Sequence, residues 1–566
     1  MFNKAAEKTA SLVILIGTPF TSLFIVLDSV TDPVNATKLS VAGGLGISLF
    51  LLFLVFAGRA GFAQYKYFLL ASLLFLIASV NSAVNSAAPL AQNFYGAYGR
   101  NTGLIAYLVL AMVSIGALLL RTEGSYTKII WGLQFAGIVN VIYCGWVIAF
   151  GDFLSWNNPY GNILGLFGNP NFISAFLGMF ITTLMAFAVS KSASWKYRIA
   201  ALLVGLLAFY EVVDSNSIQG IVVTLGGIAI VGFFAVRAYL RNPILTYLYV
   251  AAVSVVGIFA IFGTLQKGPL SFVYKTSVSL RGEYWRAGLN MGMDNPLTGV
   301  GMDSYGDWYR RARSESAATI LPGPKVVTNA SHNVVIDFFA YGGWPLLIAY
   351  LAMLLLAAIA IIKVLRRSKS YNPTFVAMVA AWTCYEVQSL ISINQIGLAV
   401  WGWLLTGALI SYEVATRLEA PKEAVPASGR TRSVPKASAG VISPQLVAGI
   451  GAVIGVLIAV PPLSADTKWR SAIESKDANK VIVTLESNYM NPTDSARLVQ
   501  AVSLFANSNL LDQARQVALK GIEFNPDYFD AWAQLYSLTN STEAEKALAF
   551  ENMKRLDPRN PDVTVR

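Results

Sequence analysis

The stretch Leu39–Ala57, "LSVAGGLGISLFLLFLVFA", runs for 19 residues without a charge. At 1.5 Å per helical residue it spans about 30 Å, the thickness of a bilayer's hydrocarbon core. A single run of this kind also fits a buried core helix, so the neighbouring sequence decides. Similar runs recur at about 11–27, 67–84, 102–120, 129–150, 171–190, 199–213, 217–236, 244–263, 344–362, 373–393, 396–414 and 445–463. The chain is 55% hydrophobic and 13% charged. Apolar residues in continuous runs, rather than at amphipathic spacing, exclude a soluble multidomain protein. The expectation is an all-α, polytopic membrane protein with about thirteen transmembrane helices, a long loop between helices 9 and 10, and a helical segment after the last span.

Basic residues set the orientation, because short loops rich in Lys and Arg stay on the cytoplasmic side. One set of alternate loops holds Lys4, Lys8, Arg59, Arg121, Lys191, Arg237 and Arg366 among others, whereas the opposite short loops hold only Lys38 and Arg100. The N-terminus is therefore expected in the cytoplasm. The long loop (264–343) and the C-terminal segment are expected outside, on the periplasmic or extracellular face. The run that begins after Lys4 and Lys8 lacks a small-residue cleavage site and reads as an uncleaved first helix. The formal charge of +11 follows from the basic loops and points to anionic membrane lipids; no nucleic-acid motif is present. Cys144 and Cys384 both fall inside spans and read as small apolar core residues.

The organisation expected from these patterns is a twelve-helix body over 1–415, a Pro/Ala/Ser-rich cytoplasmic linker over 416–443, a last transmembrane helix over 444–464 and an external module over 465–566. In that module Asn491-Pro492 and Asn525-Pro526 stand 34 residues apart, and Asp557-Pro558 follows 32 later. Thirty-four is the tetratricopeptide period. About two tetratricopeptide-like repeats are expected, with a further helix pair from Asp466. Docking of a protein partner, or capping of the external loop, would be their role.

The long loop is the place to look for chemistry, since polar, aromatic-rich loops of this length are usually functional. It contains "RGEYWRAGLNMGMDNPLTGVGMDSY" (281–305) and ends on "SHNVVIDFFAYGGWPLLIAYL" (331–351), which carries His332, the one histidine of the chain. These motifs resemble the core of the bacterial O-antigen ligase and polymerase superfamily. Weaker support comes from "YGRNTGLIAYL" at Tyr98 and "GLFGNPNFISAFLGMF" at Gly165, so the resemblance covers roughly 90–415.

The resemblance implies a membrane glycosyltransferase. Such an enzyme moves a glycan from an undecaprenyl diphosphate carrier to a hydroxyl of a glycan, lipid or protein acceptor on the outer face. It implies His332 as the essential histidine, and Arg281 and Arg286 as diphosphate contacts. The chemistry of the side chains agrees. An acceptor hydroxyl must lose a proton, which a neutral imidazole takes at neutral pH. The departing diphosphate needs guanidinium charge.

Arg281 ranks above Arg286, which can pair with Glu283 three residues before it. Asn333 is a candidate sugar contact. Asp337 is five positions from His332 and poorly placed to orient it. One departure is that "DSNSIQG" (214–220) lacks the arginine that many members place there. Gln219 or Arg100 is the expected substitute. No metal-binding cluster is visible, so a reaction without metal or other cofactor is expected.

"YRRAR" (309–313) reads as a solvated or headgroup-facing cluster. Glu211 reads as a side chain that snorkels to the interface. The alternatives are a lipid-linked glycan flippase or other secondary transporter, or a non-catalytic scaffold working through its repeats.

Overall fold

The computed structural model describes residues 3–271, 274–419 and 442–564. Among the described residues the regular structure is helical, with no strand beyond one isolated bridge. Each of the thirteen apolar runs is largely helical, the last one divided between two helices. Among the described residues eight helices are long and apolar enough to cross a membrane: Asn35–Phe56, Lys66–Asn85, Glu123–Phe150, Pro170–Ala188, Ile218–Leu240, Pro243–Thr264, Val334–Arg367 and Ile396–Leu418. A ninth arises if Pro444–Ala459 and Pro461–Ser475, bent by 45°, act as one. The runs in Lys4–Leu23, Leu104–Ala117, Trp195–Asp214 and Pro373–Ser389 are helical too. Of the expected linker, positions 420–441 lie outside the described residues.

The opening stretch does more than span. Its Gly43, Gly44 and Ser48 face Gly455, Ala452 and Gly451 of the Pro444–Ala459 helix, where a Cβ on Gly455 would collide with the Gly43 carbonyl. Small residues let two backbones approach closely, and the hydroxyls add bonds: Ser48 Oγ donates to Ala448 O at 2.8 Å and Ser40 Oγ to Ala459 O at 3.4 Å. The last apolar helix is thereby fixed to the body despite lying more than 400 positions away in sequence. Lys38, at the head of the same helix, is fully buried, its Nζ donating to the carbonyls of Thr21, Ser22 and Phe24. It caps the end of the Lys4–Leu23 helix, whose last carbonyls have no intrahelical partner. Glu211 does not snorkel: it is fully buried, and among the described residues neither carboxylate oxygen has a hydrogen-bond partner.

The Val334–Arg367 helix breaks at Gly342 (φ −136°, ψ 16°) and Gly343 (φ 62°, ψ −158°). The cause is Pro345, whose ring cannot tolerate a helical carbonyl four residues earlier. The carbonyls freed at the break are taken up by the "PLTGVG" turn: Val300 N donates to Ala340 O (2.9 Å) and Gly301 N to Tyr341 O (3.1 Å). Trp344 N donates in return to Pro296 O (2.9 Å). The turn motif therefore buttresses the break. The eight residues Val334–Tyr341, expected within the loop, are helical and continue the span. Beneath them Phe338, Tyr350, Phe75, Trp403 and Tyr107 form one aromatic cluster.

The C-terminal segment folds as three helix pairs, Pro461–Ser475 with Ala478–Thr484, Ser495–Asn507 with Leu511–Phe524, and Phe529–Ser537 with Glu543–Leu556. Its core is its own, built around Trp469, Leu498, Phe505, Trp532 and Leu535. It is clamped onto the long loop by the cluster expected to be solvated. Arg313 donates to both oxygens of Asp557 at 2.8 Å with both side chains fully buried. Arg310 reaches Asp557 (3.1 Å) and Asp530 (3.6 Å), and Arg311 reaches Asp527 (3.3 Å). The carboxylate partners lie more than 200 residues further along the chain, out of reach of any local pattern.

Candidate functional site

Loops expected on one side gather at one end of the helical bundle. Asn333 Nδ2 donates to Leu390 O at 2.9 Å, Lys275 Nζ to Asn216 O at 2.7 Å, and Ser155 Oγ to Asp28 at 3.2 Å. His332 lies in this layer, between the Thr276–Asp294 helix and the start of the Val334–Arg367 helix. It adopts a left-handed backbone (φ 60°), uncommon for a residue other than glycine. Both neighbours are pinned. Ser331 N donates to Asp337 Oδ1 at 2.7 Å, and Asn333 caps the helix by accepting from Val335 N (3.0 Å) and Ile336 N (3.2 Å). Asp337 thus fixes the loop and does not orient the imidazole, while the side chain of Asn333 is engaged by the cap and by Leu390.

The imidazole stacks on Tyr284, with centroids 5.6 Å apart and planes at 27°. Tyr284 belongs to the Thr276–Asp294 helix, three residues after Arg281 and so on the same face. The tyrosine is itself held edge-on by Tyr309, at 5.8 Å. Neither ring nitrogen of His332 is hydrogen-bonded to the described residues.

Burial pushes the His332 pKa down to about 3, assisted by the positive charges of Arg100 and Arg281. Two of the arginines singled out from sequence are therefore close enough to act on the histidine. Among the described residues, neither the Arg100 nor the Arg281 side chain has a hydrogen bond or ion pair, and Arg100 Nε is buried without a partner. Burial alone lowers the Arg281 pKa, with no carboxylate opposing it. A guanidinium held in a protein without an anion, as Arg281 is here, is costly, and a ligand phosphate is a natural counter-ion.

Arg286 is arranged differently: its side chain is 58% exposed and sits 3.8 Å from Glu283. Gln219 bonds toward the start of the Pro170–Ala188 helix, with Nε2 3.4 Å from Asn171 O, and its buried Oε1 has no partner. Its one side-chain hydrogen bond among the described residues leads to Asn171, and none joins it to His332, Arg100 or Arg281.

Arg100 stands in a loop with three left-handed residues, Gly96, Gly99 and Asn101. The loop is staked from outside. Asp303 Oδ2 accepts from Ala97 N (2.8 Å) and Thr102 N (3.2 Å), and Asn35 Nδ2 donates to Gly99 O (2.8 Å). Asp466 accepts from the Tyr98 hydroxyl (2.7 Å). Burial raises the pKa of Asp303 while Arg100 works against that rise. Tyr284, Asp303 and Asp466 escaped the reading of the sequence; only Tyr284, at helical spacing from Arg281, left a local signal. Among the described residues no group of three or more His, Cys, Asp or Glu could hold a metal ion.

A family model described as O-antigen ligase matches residues 203–351. The matched stretch contains Arg281, Tyr284 and His332, whereas Arg100 lies outside it. No curated protein matches the chain. Over the matched stretch the chain is similar to O-antigen ligases, which supports a multi-pass membrane enzyme of glycosyltransferase type.

Proposed function

We propose that the protein transfers a glycan from undecaprenyl diphosphate to an acceptor hydroxyl at the outer face of the bacterial plasma membrane. Arg281 and Arg100 bind the diphosphate. His332 takes the proton of the acceptor hydroxyl as its oxygen attacks the anomeric carbon. The bond from that carbon to the diphosphate oxygen breaks, and undecaprenyl diphosphate leaves with the electron pair. The observation that carries this reading is the stack of His332 on Tyr284, one helical turn after Arg281, with the charges of Arg281 and Arg100 reaching the histidine while neither guanidinium is hydrogen-bonded or ion-paired among the described residues.

The low pKa supports the role in one respect and constrains it in another. An imidazole whose pKa lies near 3 is neutral at every physiological pH, as a general base must be. It is also a weak base while its surroundings stay cationic. A bound diphosphate offsets the two guanidinium charges, so donor binding raises its basicity at the step that needs it. The body over 1–415, the last span over 444–464 and the external repeat-like module over 465–566 complete the proposed organisation. In it the module is held against the catalytic loop and is not free in solution.

The test is transfer itself. Purified protein in lipid nanodiscs, supplied with the lipid-linked glycan pool of its bacterium and membrane acceptors, should release undecaprenyl diphosphate and form linked product. Movement of the lipid between leaflets without transfer would support a flippase and overturn this reading.

A further inference from the structure

A cleft of about 440 Å³ opens on the other side of the Arg100 loop. Its size falls within the roughly 300–1,000 Å³ of small-molecule sites. Four loops of the body and one helix of the C-terminal module line it, including Asp28, Arg100, Trp156, Tyr160, Ile393 and Arg470. Neither His332 nor Arg281 lines it, so it extends the site beyond the reacting groups.

Its lining suits hydroxyl groups. Trp156 is fixed by its indole N–H, which donates to Asp152 at 2.8 Å, and Tyr160 is 51% exposed, its hydroxyl accepting from Asn169 at 3.0 Å. Ordered aromatic faces beside amides and carboxylates offer a sugar ring both stacking surface and hydrogen-bond partners. A second diphosphate fits less well, since Asp28 and Asp32 share the cleft and Arg470 already meets Glu474 at 2.5 Å.

The module builds the cleft as well as bordering it. Asp466, almost completely buried, accepts from the backbone N–H groups of Thr31 and Asp32, both at 2.9 Å, and from the Tyr98 hydroxyl. It thereby ties together the loops carrying Asp32 and Arg100, which form two of the walls. Arg470, one turn further along the Pro461–Ser475 helix and on the same face, supplies a third.

We propose that this cleft holds the part of the lipid-linked donor's glycan that follows the reacting sugar, its rings lying against Trp156 and Tyr160, and that Arg470 makes the C-terminal module part of donor recognition. The inference rests on Arg100 as a diphosphate contact, because the reacting sugar is one bond from the phosphate that Arg100 holds and the rest of the glycan follows it.

Binding of two ligands to the full-length protein in nanodiscs separates the inference from the reading beneath it. One ligand is bare undecaprenyl diphosphate, and the other is the lipid-linked glycan pool extracted from membranes of the bacterium that makes the protein. Wild type should bind the glycan-bearing lipid about tenfold more tightly than the bare lipid. Trp156→Ala, Tyr160→Ala and Arg470→Ala should each erase most of that preference and leave binding of the bare lipid unchanged, which also reports that they fold. Equal binding of the two lipids by wild type would overturn the cleft assignment and leave the diphosphate site standing. So would variants that keep the preference or lose both ligands alike. Failure of wild type to bind either lipid would overturn both.

Discussion

Tyr284 and His332 stack with ring centroids 5.6 Å apart, and this contact joins the Thr276–Asp294 helix to the residue before the N-cap of the Val334–Arg367 helix. The tyrosine ring holds the imidazole in one plane and covers one of its faces. Tyr284→Phe preserves the ring and should retain activity within about twofold. Tyr284→Ala uncovers and frees the imidazole and should lower kcat by about tenfold, a loss typical of misplaced catalytic groups. Equal activity of the two variants would show that the stack does not position His332.

The pH dependence follows from the same surroundings. Protonated imidazole cannot accept a proton, so activity falls as pH drops through the His332 pKa. In free enzyme that value is about 3. The acid limb of kcat/KM, which reports free enzyme, should therefore lie far below the usual histidine range near 6.5. The acid limb of kcat, which reports the donor complex, should lie at higher pH because the diphosphate offsets Arg100 and Arg281. Coincident limbs at about 6.5 would contradict this electrostatic picture.

Arg281 and Arg286 are five residues apart and should behave differently. Arg281→Ala removes a charge-assisted contact worth about 1.5–3 kcal/mol and should weaken undecaprenyl diphosphate binding by roughly 10- to 100-fold. Arg286→Ala removes an exposed partner of Glu283 and should change binding by less than about twofold. Titration of both variants in nanodiscs compares them directly.

The buried Arg313–Asp557 pair fastens the module to the loop. Asp557→Ala leaves the Arg313 guanidinium buried without its anion, a loss of about 3–5 kcal/mol in settings of this kind. Hydrogen exchange should then rise across Tyr305–Ala312 and Glu543–Leu556, while the membrane helices stay protected. Unchanged exchange in both segments would show that the pair does not hold the docked arrangement.

The legible parts of this molecule are those set by local pattern. Apolar run length located the helices, and the spacing of Glu283 and Arg286 anticipated their ion pair. The helix before Gly342 was hidden because Asn333 and Asp337 give its first turn a polar, loop-like composition. Their polar groups serve the cap and the Ser331 backbone instead. Least legible were the contacts that span the chain. Nothing near "YRRAR" announces Asp527, Asp530 or Asp557, and nothing near Tyr98 announces Asp466. The candidate site draws on both: His332, Arg281 and Arg100 are candidates that the sequence offers, while the contacts that hold the Arg100 loop leave no mark in it.

The most direct test of the central claim is release of undecaprenyl diphosphate during glycan transfer by wild type and by His332→Ala in the same nanodisc preparation. The account predicts steady release and linked product from wild type. It predicts loss of transfer by a factor of at least about 100 in the variant, within the 10²–10⁴-fold range of general-base catalysis, with binding of undecaprenyl diphosphate retained. Transfer by His332→Ala at the wild-type rate would contradict it.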